Sequence, residues 1–191
     1  MSKGRLEAFS DGVIAIIITI MVLELKVPHG VTLAALRPLL PIFLSYVMSY
    51  LYIAIYWNNH HHLFQAIKRV NGRILWANLH LLFWLSLIPF VTDWMGENEF
   101  PAWPVALYGV VLLANALAFT LLVYTLIAEH GKDSLLATAL GRDYKSKISL
   151  VGYAVAIPLA FVSQWLSCAL YVAVAILWLI PDRRIERELV H

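Results

Sequence analysis

The sequence predicts an all-α membrane protein in which six helices cross the bilayer, and three observations lead to this prediction. Of the 191 residues, 61% are hydrophobic and only 14% are charged, whereas about a quarter of the residues in soluble proteins are charged. The mean hydropathy is +0.76. The apolar residues form long runs separated by short polar segments, and no internal repeat is visible, so residues 1–191 are predicted to form a single transmembrane domain.

The first apolar run extends from Arg5 to Val27 and carries no charge between Asp11 and Glu24. A bilayer requires ~20 apolar residues for one helical crossing, so this span must include its charged ends. A cleavable signal peptide is the alternative, but the run ends in Glu-Leu-Lys-Val-Pro and lacks a small-x-small cleavage site. A carboxylate drawn into the membrane rim is costly unless another group meets it, which makes Asp11 a candidate functional residue.

Three further spans follow in order. The second covers residues 39–57 and is followed by a polar run that contains His60, His61 and His62. The third covers residues 74–91 and contains Pro89, where the missing backbone donor is expected to bend or end the helix. The fourth covers residues 105–128.

The last apolar run, residues 149–180, carries no charge and is longer than one span needs. If it is broken near Ser163 and Gln164, the chain has six spans, and its basic residues divide 12 to 2 in favour of the side that holds the amino terminus. If it is one helix, the division is 9 to 5. Because basic residues concentrate in cytoplasmic loops, six spans with both termini in the cytoplasm are favoured.

Composition and motifs exclude several classes of function. The net charge of +2 is small and its basic residues are dispersed, so no nucleic-acid partner is expected. The sequence has no His-Glu-x-x-His motif, no Ser/His/Asp spacing and no glycine-rich phosphate loop, so it predicts neither an enzyme nor a cofactor. Three adjacent imidazoles suit a transition metal or a pH sensor, but neighbouring helical residues point about 100° apart and cannot all bind one ion. A metal site is therefore disfavoured.

The first span has a narrow apolar stripe. With Ile16 as the origin, Ile20 and Leu23 project within about 40° of it and Thr19 about 60° away. Ser10 and Asp11 project about 120° and 140° to either side, so they are expected to face the protein. From the residues alone, packing of this stripe against lipid or other helices is favoured over a functional role.

This span resembles the first membrane helix of the transmembrane protein 175 family of potassium channels. The resemblance rests on Arg-x-x-x-Phe-Ser-Asp at residues 5–11, on the Leu-Glu-Leu that ends the run, and on a later Tyr-Trp-x-x-His-His at residues 56–61. It implies a potassium-preferring cation channel with one six-span repeat per subunit, assembled as a homotetramer in the bacterial cytoplasmic membrane. K⁺ is the expected permeating ion, and permeation by other monovalent cations stays open.

The resemblance also implies roles for particular residues. The first helix would line the pore, with bulky layers at Ile16, Ile20 and Leu23 and a hydroxyl-bearing layer at Thr19. A network around the motif would hold this helix in place, and its candidate members are Arg5, Phe9, Ser10, Asp11, Trp57, His61, His62, Asn78 and His80.

Two other functions stay open at this point. A secondary transporter coupled to protons or cations would use Asp11 and the histidines, but such carriers typically have an ionisable site at the membrane midplane. Here the charges lie at the helix ends. A membrane scaffold without conduction is the third possibility.

Overall fold

The computed structural model describes residues 2–131 and 144–179. Every regular element in these ranges is helical, which confirms the predicted class. The helices are α1 (Lys3–Leu23), a 3₁₀ helix (Leu33–Leu39), α2 (Leu40–Gln65), α3 (Gly72–Ser86), α4 (Ile88–Glu97), α5 (Ala102–His130), α6 (Tyr144–Leu159) and α7 (Gln164–Leu179).

Four continuous helical stretches are long and apolar enough to cross a membrane: Lys3–Leu23, Leu33–Gln65, Gly72–Glu97 and Ala102–His130. Helices α6 and α7 have 16 residues each, which corresponds to about 24 Å of helix. They are short for a span, as the sequence predicts for residues 149–180.

The break within residues 149–180 is confirmed. Helix α6 ends at Leu159 and α7 begins at Gln164, so Ser163 lies in the turn between them. The Ser167 hydroxyl donates to the carbonyl of Ala156 at 2.6 Å, and Trp178 Nε1 donates to the Ser149 hydroxyl at 2.8 Å. These two bonds join α6 and α7 as an antiparallel pair.

Five of the basic residues used in the charge count lie outside the described residues: Lys132, Arg142, Arg183, Arg184 and Arg187.

The bend expected at Pro89 is also present. Helices α3 and α4 meet at Leu87, and Pro89 lies in the first turn of α4. Backbone N–H groups in the first turn of a helix have no acceptor within that helix, so the missing N–H of proline costs no hydrogen bond there. The amino end of α3 is capped by Asn71, whose side chain accepts from the backbone N–H of Ile74 at 2.9 Å.

Two helix ends differ from the prediction. Helix α1 ends at Leu23 rather than near Val27. Helix α2 continues to Gln65, past the predicted end at residue 57, because its polar residues 58–62 include no glycine or proline that would stop a helix. The histidine run therefore lies on a regular helix.

Helix α1 packs against α2, α3 and α4, and α5 packs against α3, α4, α6 and α7. A ladder of buried hydroxyls connects α2, α4 and α5. The Thr92 hydroxyl donates to the carbonyl of Ile88, so it accepts from Ser49 at 2.6 Å, and Ser49 in turn accepts from Tyr108 at 3.0 Å. Each hydroxyl is satisfied without water, which fixes the register of the three helices.

Contacts between loops identify the two ends of the bundle. On one side, Lys26 Nζ lies 2.9 Å from Glu97 Oε1, which joins the segment after α1 to the end of α4. This carboxylate raises the pKa of the Lys26 amine by accepting its hydrogen bond and by its charge. On the other side, His130 at the end of α5 accepts from the backbone N–H groups of Lys68 and Arg69.

Candidate pore face and motif network

Helix α1 uses one face to pack against the rest of the chain. The residues of this face are at most 4% exposed and follow helical spacing: Leu6, Ser10, Ile14, Ile17 and Met21. The predicted stripe lies on a different face. Ile16 is 58% exposed, Ile20 43% and Leu23 77%. The described part of the chain therefore leaves this bulky apolar stripe uncovered.

Thr19 also lies on the exposed side of α1. Its hydroxyl donates to the carbonyl of Ile16 at 2.9 Å. Because the single hydroxyl proton is used in this bond, the oxygen remains free to act as an acceptor. Thr19 thus adds an oxygen ligand suited to a cation beside an otherwise apolar stripe.

A buried chain of polar groups joins α1, α2 and α3. His60 Nε2 donates to Asn78 Oδ1 at 2.8 Å, and Asn78 Nδ2 donates to the Ser10 hydroxyl at 2.9 Å. The Ser10 hydroxyl then donates to the carbonyl of Leu6 at 2.9 Å. All three side chains are at most 2% exposed. We call Ser10, Asn78 and His60 the inner network.

Asp11 occupies a different position from Ser10. Trp57 Nε1 donates to Asp11 Oδ1 at 3.0 Å, and both side chains are exposed on the surface of the subunit. The indole of Trp57 stacks on the imidazole of His61 with 5.9 Å between ring centroids. Helical periodicity predicted that Ser10 and Asp11 both face the protein, but only Ser10 is buried, whereas Asp11 is exposed.

The remaining candidates of the network lie apart from this chain of bonds. Arg5 and Phe9 are exposed. His61 binds the side-chain amide of Gln65, and His62 has a buried Nδ1 without a hydrogen-bond partner in the described part of the chain. His80 accepts from Trp84 Nε1 at 3.0 Å on the outer surface of α3. Thus neither His61, His62 nor His80 bonds to Ser10 or Asn78.

The sequence-based prediction missed His60 as a member of the inner network and considered it only as a metal ligand or part of a pH sensor. The sequence contained an indication of this role, because His60 lies at helical spacing from other residues of α2 that prove to be buried. The buried set includes Ser45, Ser49, Tyr52, Ile53, His60, Leu63 and Phe64. Within a helix, adjacent histidines face different sides. His60 accordingly points to Asn78 while His61 bonds to Gln65 on the surface.

Residues 5–89 match the family described as "Endosomal/lysosomal potassium channel TMEM175". The chain is 55% identical over 189 residues to "Potassium channel HX13_20290" of Chryseobacterium sp. (strain P1-3), which covers 99% of this chain and 98% of that protein. It is 35% identical over 178 residues to "Potassium channel B446_29190" of Streptomyces collinus, and this match covers 87% of this chain and 86% of that protein.

A solved structure is also similar. The crystal structure of a lysosomal potassium-selective channel TMEM175 homolog from Chamaesiphon minutus superposes with a TM-score of 0.79. Sequence identity is 31%, and the match covers 93% of this chain and 96% of the other. The likeness therefore extends over nearly all of both chains.

Proposed function

Because the chain belongs to the TMEM175 family, we propose that it is a potassium channel whose pore is lined by α1. The relatives that match it over most of its length are named potassium channels, and they favour conduction over coupled transport or catalysis. We further propose a homotetramer in the bacterial cytoplasmic membrane, with both termini in the cytoplasm.

The exposed apolar stripe of α1 is the observation that carries this proposal. Helix α1 turns its buried face to α2, α3 and α4, and leaves Ile16, Ile20 and Leu23 uncovered. A single helix cannot enclose a pore, so closure requires several copies around one axis. In such a ring the stripe would form successive apolar layers, and water leaves a narrow apolar ring easily.

The residues on the stripe suggest how ions would be distinguished. Ile16, Ile20 and Leu23 offer no oxygen atoms to replace the hydration shell of a cation. A more strongly hydrated ion, such as Na⁺, would then lose more on entering the constriction than K⁺. The Thr19 oxygen, whose proton is donated to Ile16, would be the nearest side-chain acceptor to these layers.

The activity is tested by ion flux into liposomes. Purified protein is reconstituted into vesicles loaded with either potassium chloride or sodium chloride and diluted into the chloride salt of an impermeant organic cation, and a fluorescent dye reports the resulting flux. We expect a potassium flux that protein-free vesicles lack and a smaller flux from vesicles loaded with sodium chloride. Equal flux of both cations would contradict potassium preference, and flux only in the presence of a proton gradient would favour the transporter.

The orientation of α1 is tested by comparing two adjacent residues. Leu23 and Val22 are both exposed in the subunit, at 77% and 44%, but they point about 100° apart. If the stripe faces the axis, Leu23→Cys should crosslink between subunits several-fold faster than Val22→Cys, each in a Cys168→Ser background. Ile16→Cys and Ile20→Cys should behave like Leu23→Cys. Faster crosslinking at Val22 would place the pore on another face.

A further inference from the structure

We propose that the cytoplasmic part of the pore binds quaternary ammonium ions that carry alkyl arms, and that Phe9 and Gly12 of each subunit form the site. Phe9 supplies an aromatic ring, and Gly12 supplies space between this ring and the apolar layer of Ile16. Such a site requires copies of α1 around one axis, so it rests on the proposed function. It extends that function, since it retains an organic cation that the constriction does not pass.

Phe9 and Gly12 lie on the face of α1 that carries Ile16. At 100° per residue, Phe9 projects about 20° and Gly12 about 40° from Ile16. Both residues are exposed in the described part of the chain, and Phe9 is 49% exposed. If Ile16 faces the axis of the oligomer, Phe9 and Gly12 therefore face it as well, on the cytoplasmic side of the Ile16 layer.

Along this face, a gap separates two bulky layers. Ile16 follows Phe9 by seven residues, which corresponds to about 10 Å of helix. Gly12 lies between them, and a Cβ added there would meet nothing within 4 Å. A ring of α1 helices is therefore wider at Gly12 than at Ile16. The space between the Phe9 and Ile16 layers is called the Gly12 chamber below.

The side chains around the Gly12 chamber favour one type of cation. Neither Phe9 nor Ile16 has a side-chain oxygen that could replace the water around a small inorganic ion. A quaternary ammonium ion needs no such oxygen, because its alkyl arms already cover the charge and are stabilised by contact with apolar side chains. The faces of aromatic rings also attract such cations, as in protein sites for choline and methylated lysine.

Two charged residues near the Gly12 chamber act on such an ion through their field. Asp11 lies at the depth of the chamber, one residue before Gly12 but about 100° round the helix from it. Arg5 is exposed and projects about 40° from Phe9, one turn nearer the cytoplasm. The carboxylate attracts a cation in the chamber, whereas the guanidinium opposes its entry. Because the two effects oppose each other, the apolar and aromatic contacts decide how tightly the ion binds.

The Ile16 layer stops the organic ion at the chamber. A potassium ion can shed water to pass a narrow apolar ring, but a quaternary ammonium ion cannot shed its covalently bound arms. It therefore stays on the cytoplasmic side and blocks the current. From the extracellular side the same ion meets Leu23 and Ile20 first, so it does not reach Phe9. The block should accordingly act from the cytoplasmic face only.

The site is tested by recording potassium currents in membrane patches excised from cells that express the full-length chain. Inside-out patches expose the cytoplasmic face to the bath, and outside-out patches expose the extracellular face. We expect tetrapentylammonium in the bath to block the current in inside-out patches only. Tetramethylammonium has the same charge but no methylene groups to bury, so it should reach half-block only at a concentration at least about tenfold higher.

The role of Phe9 is tested by two substitutions. Phe9→Leu removes the aromatic ring but stays apolar, so the half-blocking concentration of tetrapentylammonium should rise about tenfold. Phe9→Tyr keeps a ring and should leave that concentration within about twofold of the wild type. Phe83→Leu is the matched control, since Phe83 is also exposed, at 56%, but lies on α3. This control should not change the block.

Gly12→Ala tests the chamber without removing the ring. The added methyl group meets nothing within 4 Å in the described part of the chain, so the subunit should fold. One methyl group from each subunit narrows the chamber, so the half-blocking concentration should rise several-fold for tetrapentylammonium and stay unchanged for tetramethylammonium.

The possible failures of this test are distinguishable. The site would be overturned by equal block from both faces, or by an unchanged half-blocking concentration in Phe9→Leu or, where that variant does not conduct, in Gly12→Ala. A potassium current that tetrapentylammonium leaves unblocked would refute the site alone and leave the channel standing. Absence of potassium current in wild-type patches would refute the channel, and with it the ring of α1 helices that forms the site.

Discussion

Replacing Ile16 with asparagine should raise the potassium current at least several-fold and reduce the discrimination between potassium and sodium. In the proposed ring, Ile16 forms the cytoplasmic-side member of the apolar layers, and a cation passing it must shed water without receiving any protein oxygen. The asparagine carbonyl would supply such oxygens and hold water in the constriction, so the barrier would fall for both cations. Single-channel recordings with mixed potassium and sodium solutions measure both quantities.

Ile17 is the matched control for this substitution. It is adjacent to Ile16 in sequence but only 4% exposed, whereas Ile16 is 58% exposed. Ile17→Asn therefore buries an amide inside the subunit, at a cost of about 1–3 kcal/mol, and should reduce the yield of folded protein without altering ion preference in the channels that remain. If Ile16→Asn left open probability and selectivity unchanged, the constriction would lie at another layer, with Ile20 and Leu23 next in order.

Much of the fold was predictable because the bilayer imposes rules that can be read locally. The break between α6 and α7 follows from the length of an uncharged run and the side on which basic residues fall, and the structure places it at Ser163 as expected. The interruption before Pro89 follows from a missing N–H. The end of α2 could not be predicted from hydropathy, because a helix does not have to stop where its apolar residues stop.

The candidate site, like the fold, could be predicted from the sequence only in part. Helical periodicity correctly separated Ile16, Ile20 and Leu23 from Ser10, because these positions belong to one helix. The choice among adjacent histidines was incomplete, because it left out His60, and the reason is geometric. His60 reaches Asn78 while its neighbour His61 faces outward, and one residue of rotation decides which side chain is buried. Contacts between helices, such as that of Trp57 with Asp11, depend on packing that no single helix encodes.

Asn78→Leu should be the most damaging substitution in the inner network. Asn78 is fully buried and supplies both the acceptor for His60 and the donor for Ser10. Leucine is similar in size but meets neither partner, so a ring N–H and a hydroxyl oxygen lose their bonds at a cost of about 1–3 kcal/mol each. Because the network ties α1 to α2 and α3, the loss should free the pore helix from its support.

We therefore expect Asn78→Leu to lower the midpoint of thermal unfolding in detergent by roughly 5–10 °C, given that 1 kcal/mol corresponds to about 2–4 °C in a domain of this size, and to reduce the fraction of assembled protein. Asn59→Leu is the control within the membrane, since among the described residues the Asn59 amide donates to the carbonyl of Ile55 on its own helix and to no other helix. Fluorescence-detected size exclusion after heating compares the two variants. Equal shifts for both would mean that the inner network contributes no more than a partly buried amide that bonds within its own helix, and that α1 is held chiefly by the apolar contacts of Leu6, Ile14, Ile17 and Met21.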